Sequence, residues 1–134
     1  RQDRPLGVIY ADVNGLKATN DQQGHRAGDE LIRRAVGVLV RNFSREQVFR
    51  EGGDEFIVLA RNLGKREFSR RVEQIRRELA EDPEPILAVG SLWLEDSAHI
   101  RQAIRQADRE MYQDKASYYA LHERRHKGLE EGKG

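Results

Sequence analysis

Cysteine is absent from this 134-residue chain, which excludes disulfides and thiolate metal sites. No signal peptide is visible in these residues, and no apolar stretch is long enough to span a membrane. A cytoplasmic location is therefore the default, and any membrane anchor would have to come from a region outside this chain. Charge of one sign is not in excess: Lys and Arg number 24 and Asp and Glu 23, for a net charge of +1. No global field points to nucleic acid as a partner. Aromatic residues make up 7% with a single tryptophan, Trp93, which reads as core or sheet-face packing. Of the three prolines, Pro83 and Pro85 sit together and stop a helical run. Internal repeats, linkers and low-complexity blocks are lacking.

What is present suits one soluble domain with a real core and a heavily charged surface, 37% hydrophobic and 35% charged. Leu6–Ala11 is a short apolar run ending at Asp12 and reads as a buried strand. Asn14–Gln23 reads as a short helix, broken by Gly24 and Gly28. Asp29 then caps a longer helix to about Asn42, with Ile32, Ala35, Val36, Leu39 and Phe43 on its apolar face. Two strands, Gln47–Glu51 and Phe56–Ala60, flank Gly52-Gly53-Asp54-Glu55, and Asn62-Leu63-Gly64 forms a turn. Lys65–Glu81 is helical, Ile86–Leu94 is a strand, and Ser97 caps a last helix carrying Ile100, Ala103, Ile104, Ala107 and Met111 on one face. From His122 the charged, Gly-ended segment to Gly134 reads as a tail without fixed structure. Strands alternating with helices around one hairpin predict an α/β (α+β) sheet with helices packed on it.

Gly52-Gly53 reads as a two-residue hairpin turn with positive φ angles, bare enough for a ligand to touch its backbone. Taken alone, it is compatible with an ordinary hairpin that has acids at its tip. If the first strand pairs with this hairpin, however, Asp12, Asp54 and Glu55 converge. Three carboxylates at one point repel unless a cation neutralises them, and such oxygen ligands suit Mg²⁺ or Mn²⁺. The Val13 carbonyl could add a further oxygen. Asp29 could accept two parallel bonds from a guanine edge, and the Asn20 amide could serve the same base, or Asp29 could simply cap its helix. Lys17 and Lys115 are candidates for phosphate contacts or ordinary surface lysines. His25 reads as a loop-packing residue, and Tyr118 and Tyr119 as a cover for the base of the last helix or a stacking surface.

Together these motifs resemble the GGDEF domain of bacterial diguanylate cyclases. Gly52–Phe56 spells the motif, Asp12–Ile32 (DVNGLKATNDQQGHRAGDELI) is similar to the strand-end and guanine-site segment, and Ala107-Asp108, Met111-Tyr112 and Lys115 match the last helix. The resemblance covers about Leu6 to Tyr119, placing the domain at residues 1–121 and the tail at 122–134. It implies a palm-like central sheet similar to class III nucleotide cyclases. Asp12, Val13, Asp54 and Glu55 would hold Mg²⁺ or Mn²⁺, with Asp54 and Glu55 catalytic and Asp54 helping to deprotonate the attacking 3′-hydroxyl. Gly52 and Gly53 would admit the nucleotide, Asn20 and Asp29 would read guanine, and Lys17 and Lys115 would face phosphates.

The implied reaction condenses two GTP into cyclic di-GMP and two pyrophosphates across a homodimer of domains, under an upstream sensory domain. A silent GTP-binding domain that regulates a neighbour is the alternative. Four departures stand out. Tyr119 replaces an expected arginine, and Phe43 and Glu46 occupy the places of an inhibitory Arg-x-x-Asp product site. Asn14 replaces a second acid, and the family's N-terminal helix with its Thr-Gly-Leu-x-Asn-Arg segment is missing, which suggests a piece of a longer protein.

Overall fold

The computed structural model describes residues 4–96 and 99–133, with side chains in the second stretch as far as Leu121. Its elements are β1 (Leu6–Val13), α1 (Leu16–Gln23), α2 (His25–Asn42), β2 (Val48–Arg50), β3 (Glu55–Arg61), α3 (Lys65–Ala80), β4 (Leu87–Leu94) and α4 (Ile100–Lys133). The four strands form one sheet in the order β2-β3-β1-β4, every pair antiparallel. The architecture is thus α+β, and β1 does pair with the hairpin strand β3. Among the described residues no helix is long and apolar enough to cross a membrane.

Side-chain alternation along the strands sets the two faces. Ile9, Ala11 and Val13 of β1 join Phe56, Val58 and Ala60 of β3 and Leu87 and Val89 of β4. This face is covered by Leu31, Ala35, Val38 and Leu39 of α2 and by Phe68, Ile75 and Leu79 of α3. The opposite face carries Leu6, Val8 and Ile57, packed under Ala103 and Ala107 of α4. Asp12 is opposite Glu55 across the β1–β3 ladder. A one-residue slip would turn Asp12 into the α2/α3 core, so burial of the apolar set holds the acids on the α4 face.

At Val89 the outer β4 edge of the sheet is met by side chains rather than by another strand. The Val89 N–H donates to Asp114 Oδ2 at 2.9 Å, and Arg76 donates to the Val89 carbonyl at 3.2 Å and to Glu110 at 2.9 Å. With both outward groups of Val89 satisfied, the edge at this residue offers little template for an added strand. Gly90 lets α4 lie directly on β4, since a Cβ there would be 1.9 Å from the Ala107 carbonyl oxygen.

Several sequence expectations are corrected. Asp29 does not cap α2, which begins four residues earlier at His25 after Gly24. The extra turn is available because Gly24 adopts φ 90°, leaving α1 and entering α2 without a linker. His25 is consequently an exposed helix-start residue, not loop packing. The Gly52-Gly53 turn is not a two-residue, positive-φ hairpin: neither glycine has positive φ. The loop runs from Glu51 to Asp54 and is closed by Glu51 N–H to the Glu55 carbonyl at 2.9 Å, a longer path that ordinary φ angles can follow. Helical backbone continues to Lys133, through the charged segment read as a tail. The Ser97 cap lies outside the described residues. The expected turn at Asn62 is present, with Asn62 in the left-handed region at φ 61°.

Candidate active site

The acids converge. One carboxylate oxygen from each of Asp12, Asp54 and Glu55 lies within 4.8 Å of the others. Asp12 and Glu55 come together through the β1–β3 register, directly opposite on one face of the ladder. Asp54 is held at the hairpin tip, where its carbonyl accepts the Val13 N–H at 2.8 Å. That bond ties the end of β1 to the loop and places the Val13 backbone beside the acids.

Lys115 of α4 reaches into this cluster, its Nζ 2.7 Å from Asp12 Oδ2 and 3.9 Å from Asp54 Oδ2. Burial pushes the Asp12 carboxyl up to about 6, against the opposing pull of Lys115 and with a further push from Asp54. Burial alone would lower the Lys115 ammonium, but its bond and charge interaction with Asp12 outweigh that and raise it. Burial and then the Glu55 hydrogen bond push the Tyr10 phenol up, while burial and the Glu55 charge raise Asp108.

The residues fit a hard divalent cation. Asp12 is 3% exposed, and its Oδ1 is buried with no hydrogen-bond partner. Three carboxylates with an open oxygen form an all-oxygen donor set of the kind Mg²⁺ and Mn²⁺ take. A lysine ammonium already sits where positive charge is needed.

A pH dependence follows. The folded-state pKa of Asp12, about 6, exceeds the ordinary 3.8, so the folded chain binds an extra proton between them. Its contribution to stability is full below about pH 4 and is lost as pH rises through about 6. Thermal melts in EDTA should show the wild type losing about 1–3 kcal/mol relative to Asp12→Asn between pH 4.5 and 7. Parallel stability curves for the two proteins would contradict the burial of a charged Asp12.

Other candidates are distributed around the cluster. Asn20 packs tightly from α1 onto Gly28 of α2, the residue before Asp29; a Cβ at Gly28 would overlap Asn20 Oδ1 at 1.8 Å. Asp29 is exposed and lines a groove of about 470 Å³ with Ile32, Arg33 and Arg50. Because it caps nothing, its carboxylate is not committed to a helix end. Lys17 is exposed on α1 and lines a cleft of about 780 Å³ with Gly15, Tyr118 and Tyr119. Tyr118 and Tyr119 pack edge to face at 5.0 Å, and Lys115 lies 5.9 Å from the Tyr119 ring centre. Trp93 is a packing residue as expected, its indole N–H donating to the Leu63 carbonyl at 2.8 Å.

Sequence reasoning missed three contributors. Arg50 donates to the carbonyls of Gly52 at 3.0 Å and Gly53 at 2.6 Å, bracing the loop from β2. Tyr10 donates to Glu55 Oε2 at 3.1 Å. Asn14 is 4% exposed and donates to the Pro85 carbonyl at 2.9 Å, which explains an amide where an ionised acid could not donate. An arginine at a strand end and a tyrosine inside a strand carry no sequence signal for these roles. The space over Gly53 is open, with nothing within 4 Å of a Cβ built there.

Residues 1–119 match the family model described as diguanylate cyclase, GGDEF domain. The chain is 32% identical over 122 residues to diguanylate cyclase DosC of Escherichia coli strain K12, covering 84% of this chain and 26% of that protein. It therefore spans about a quarter of the length of this curated relative. Among solved structures it is similar to the active GGEEF domain of a diguanylate cyclase from Vibrio cholerae. That likeness has a TM-score of 0.65 and 32% identity, covering 81% of this chain and 75% of that one. The GGDEF domain of DgcB from Caulobacter crescentus, solved in complex with c-di-GMP, shares the fold with a TM-score of 0.69 at 21% identity, covering 85% of this chain and 74% of that one. The sheet and its helices thus have the nucleotide cyclase-like architecture.

Proposed function

The chain belongs to the GGDEF family of diguanylate cyclase domains, and on that premise we propose that it condenses two GTP into cyclic di-GMP and two pyrophosphates. The observation that carries this reading is the meeting of Asp12, Asp54 and Glu55 beside the hairpin tip, with Lys115 among them. Each of two facing copies holds one nucleotide, so each supplies half of the reacting pair and proximity between them drives the step. The 3′-oxygen of one nucleotide bonds to the α-phosphorus of the other as the bond to pyrophosphate breaks. Repeating the step with the roles exchanged closes the ring.

Asp12, Asp54, Glu55 and the Val13 carbonyl would hold Mg²⁺ or Mn²⁺. When bound, such an ion neutralises phosphate charge and acidifies a coordinated hydroxyl. Asp54 receives the 3′-hydroxyl proton, and Glu55 keeps the cluster anionic. Gly52 and Gly53 leave room for ribose and phosphates. Lys17 and Lys115 neutralise phosphate oxygens, with Lys115 exchanging its bond to Asp12 for one to the nucleotide. Asn20 and Asp29 read the guanine edge across the α1–α2 junction, and an upstream sensory domain governs how the two copies meet.

The test is mass spectrometry of products after concentrated protein is incubated with GTP and Mg²⁺. Cyclic di-GMP and pyrophosphate are expected. GTP binding without product, in the full-length protein as well, would instead support a silent GTP-binding regulator of a neighbouring domain. Specificity gives a second measurement. In titration calorimetry the wild type should bind GTP more tightly than ATP, and Asp29→Ala should cut that preference roughly 10-fold or more, the loss of a charge-assisted hydrogen-bond pair. Equal binding of both nucleotides by the wild type would remove the guanine assignment.

A further inference from the structure

We propose that Tyr10 is a positioning residue for Glu55, holding its carboxylate in place for the cation; the inference rests on the metal site proposed above. Tyr10 lies two residues before Asp12 on β1, so both side chains project from the α4 face of the sheet. It is opposite Ile57 on β3 and therefore diagonal to Glu55, within reach of a long side chain. Its ring packs against the apolar cluster under α4, which anchors the phenol. The O–H donates to Glu55 Oε2 at 3.1 Å.

The need for such a donor is electrostatic. Glu55 lies among Asp12 and Asp54, with Asp108 of α4 close enough to act on its charge. Lys115 bonds Asp12 and approaches Asp54, and among the described residues these two carboxylates are its ion-pair partners. Among the described residues the Tyr10 phenol is the side chain that donates to this carboxylate. A phenol is neutral, so it steadies the anion without competing with an incoming cation. It engages one oxygen and leaves the other for coordination. Hydrogen-bond partners of this kind orient metal ligands and set the affinity of the site.

The experiment is titration calorimetry with Mn²⁺ alone on the wild type, Tyr10→Phe, Glu55→Gln and the double variant. Phenylalanine keeps the ring packing and removes only the donor. Tyr10→Phe should raise the Mn²⁺ dissociation constant roughly 10-fold or more. Its melting temperature in EDTA should stay near that of the wild type, and in the Glu55→Gln background the change should add little further loss. In the cyclase assay the metal concentration for half-maximal rate should rise, while the KM for GTP at saturating metal holds. Unchanged Mn²⁺ affinity in Tyr10→Phe, or an equal loss with and without Glu55, overturns the proposal. Wild-type Mn²⁺ binding that weakens in Tyr10→Phe, but without cyclic di-GMP from GTP, upholds the positioning role and counts against the cyclase reading alone. No Mn²⁺ binding by the wild type overturns both the metal site and the role of Tyr10.

Discussion

Replacing Asp54 by alanine is expected to lower cyclic di-GMP formation by at least about 100-fold, the order contributed by a positioned proton acceptor alone. The loss should be larger still if the same oxygen holds the cation. The fold should survive. The Asp54 side chain is 41% exposed, and the loop's link to β1 runs through the Asp54 backbone carbonyl, which alanine retains. Removing one of three neighbouring negative charges also relieves repulsion. Stability should therefore change by no more than about 0.5 kcal/mol, or a few degrees in Tm. Product analysis beside a thermal melt separates the outcomes. Cooperative loss of structure would make Asp54 a structural residue, and retained turnover would take it out of the chemistry.

The second large effect lies in stability. Gly90→Ala should destabilise the protein by about 3 kcal/mol, at the upper end of the cost of overpacking a core, and lower Tm by roughly 10 °C. The new Cβ would meet the Ala107 carbonyl oxygen at 1.9 Å and the Met111 nitrogen at 2.6 Å. Both are helix backbone atoms, so no side-chain rotation can relieve the contact and α4 would have to lift from β4. That helix also delivers Lys115 to Asp12 and Asp114 to the β4 edge, so ordering of the site should suffer with the packing. Gly53→Ala is the control, since a Cβ there has nothing within 4 Å. It should melt like the wild type yet lose turnover, because the open space is where the nucleotide is proposed to approach. Equal melting of the two variants would mean that α4 is not seated on β4 as described.

Much of this organisation was legible in the chain. The strand and helix faces follow from local alternation and helical spacing, which is why β1, α3 and β4 fall within a residue or two of expectation. The three acids could be named because a strand-end aspartate and a glycine-flanked acid pair are unusual locally. The misreadings share one cause. Asp29 reads as a cap and Gly52-Gly53 as a tight turn because each has the right local chemistry. In the folded chain Gly24 starts the helix earlier, and Arg50 braces a longer loop. Local propensities rank the options, and contacts from elsewhere choose among them.

By itself, then, the sequence determined which residues carry charge and oxygen ligands, which segments of the packed core are helix or strand, and which side of each is apolar. Those properties depend on residues within a few positions of one another. Tertiary structure alone decided that Asp12 stands opposite Glu55, that Lys115 enters between Asp12 and Asp54, that Tyr10 holds Glu55, and that Asn20 lies against the residue before Asp29. Each of these is a meeting of distant segments. Strand register and helix docking are set by burying the whole apolar set at once, and no local stretch of chain contains that information.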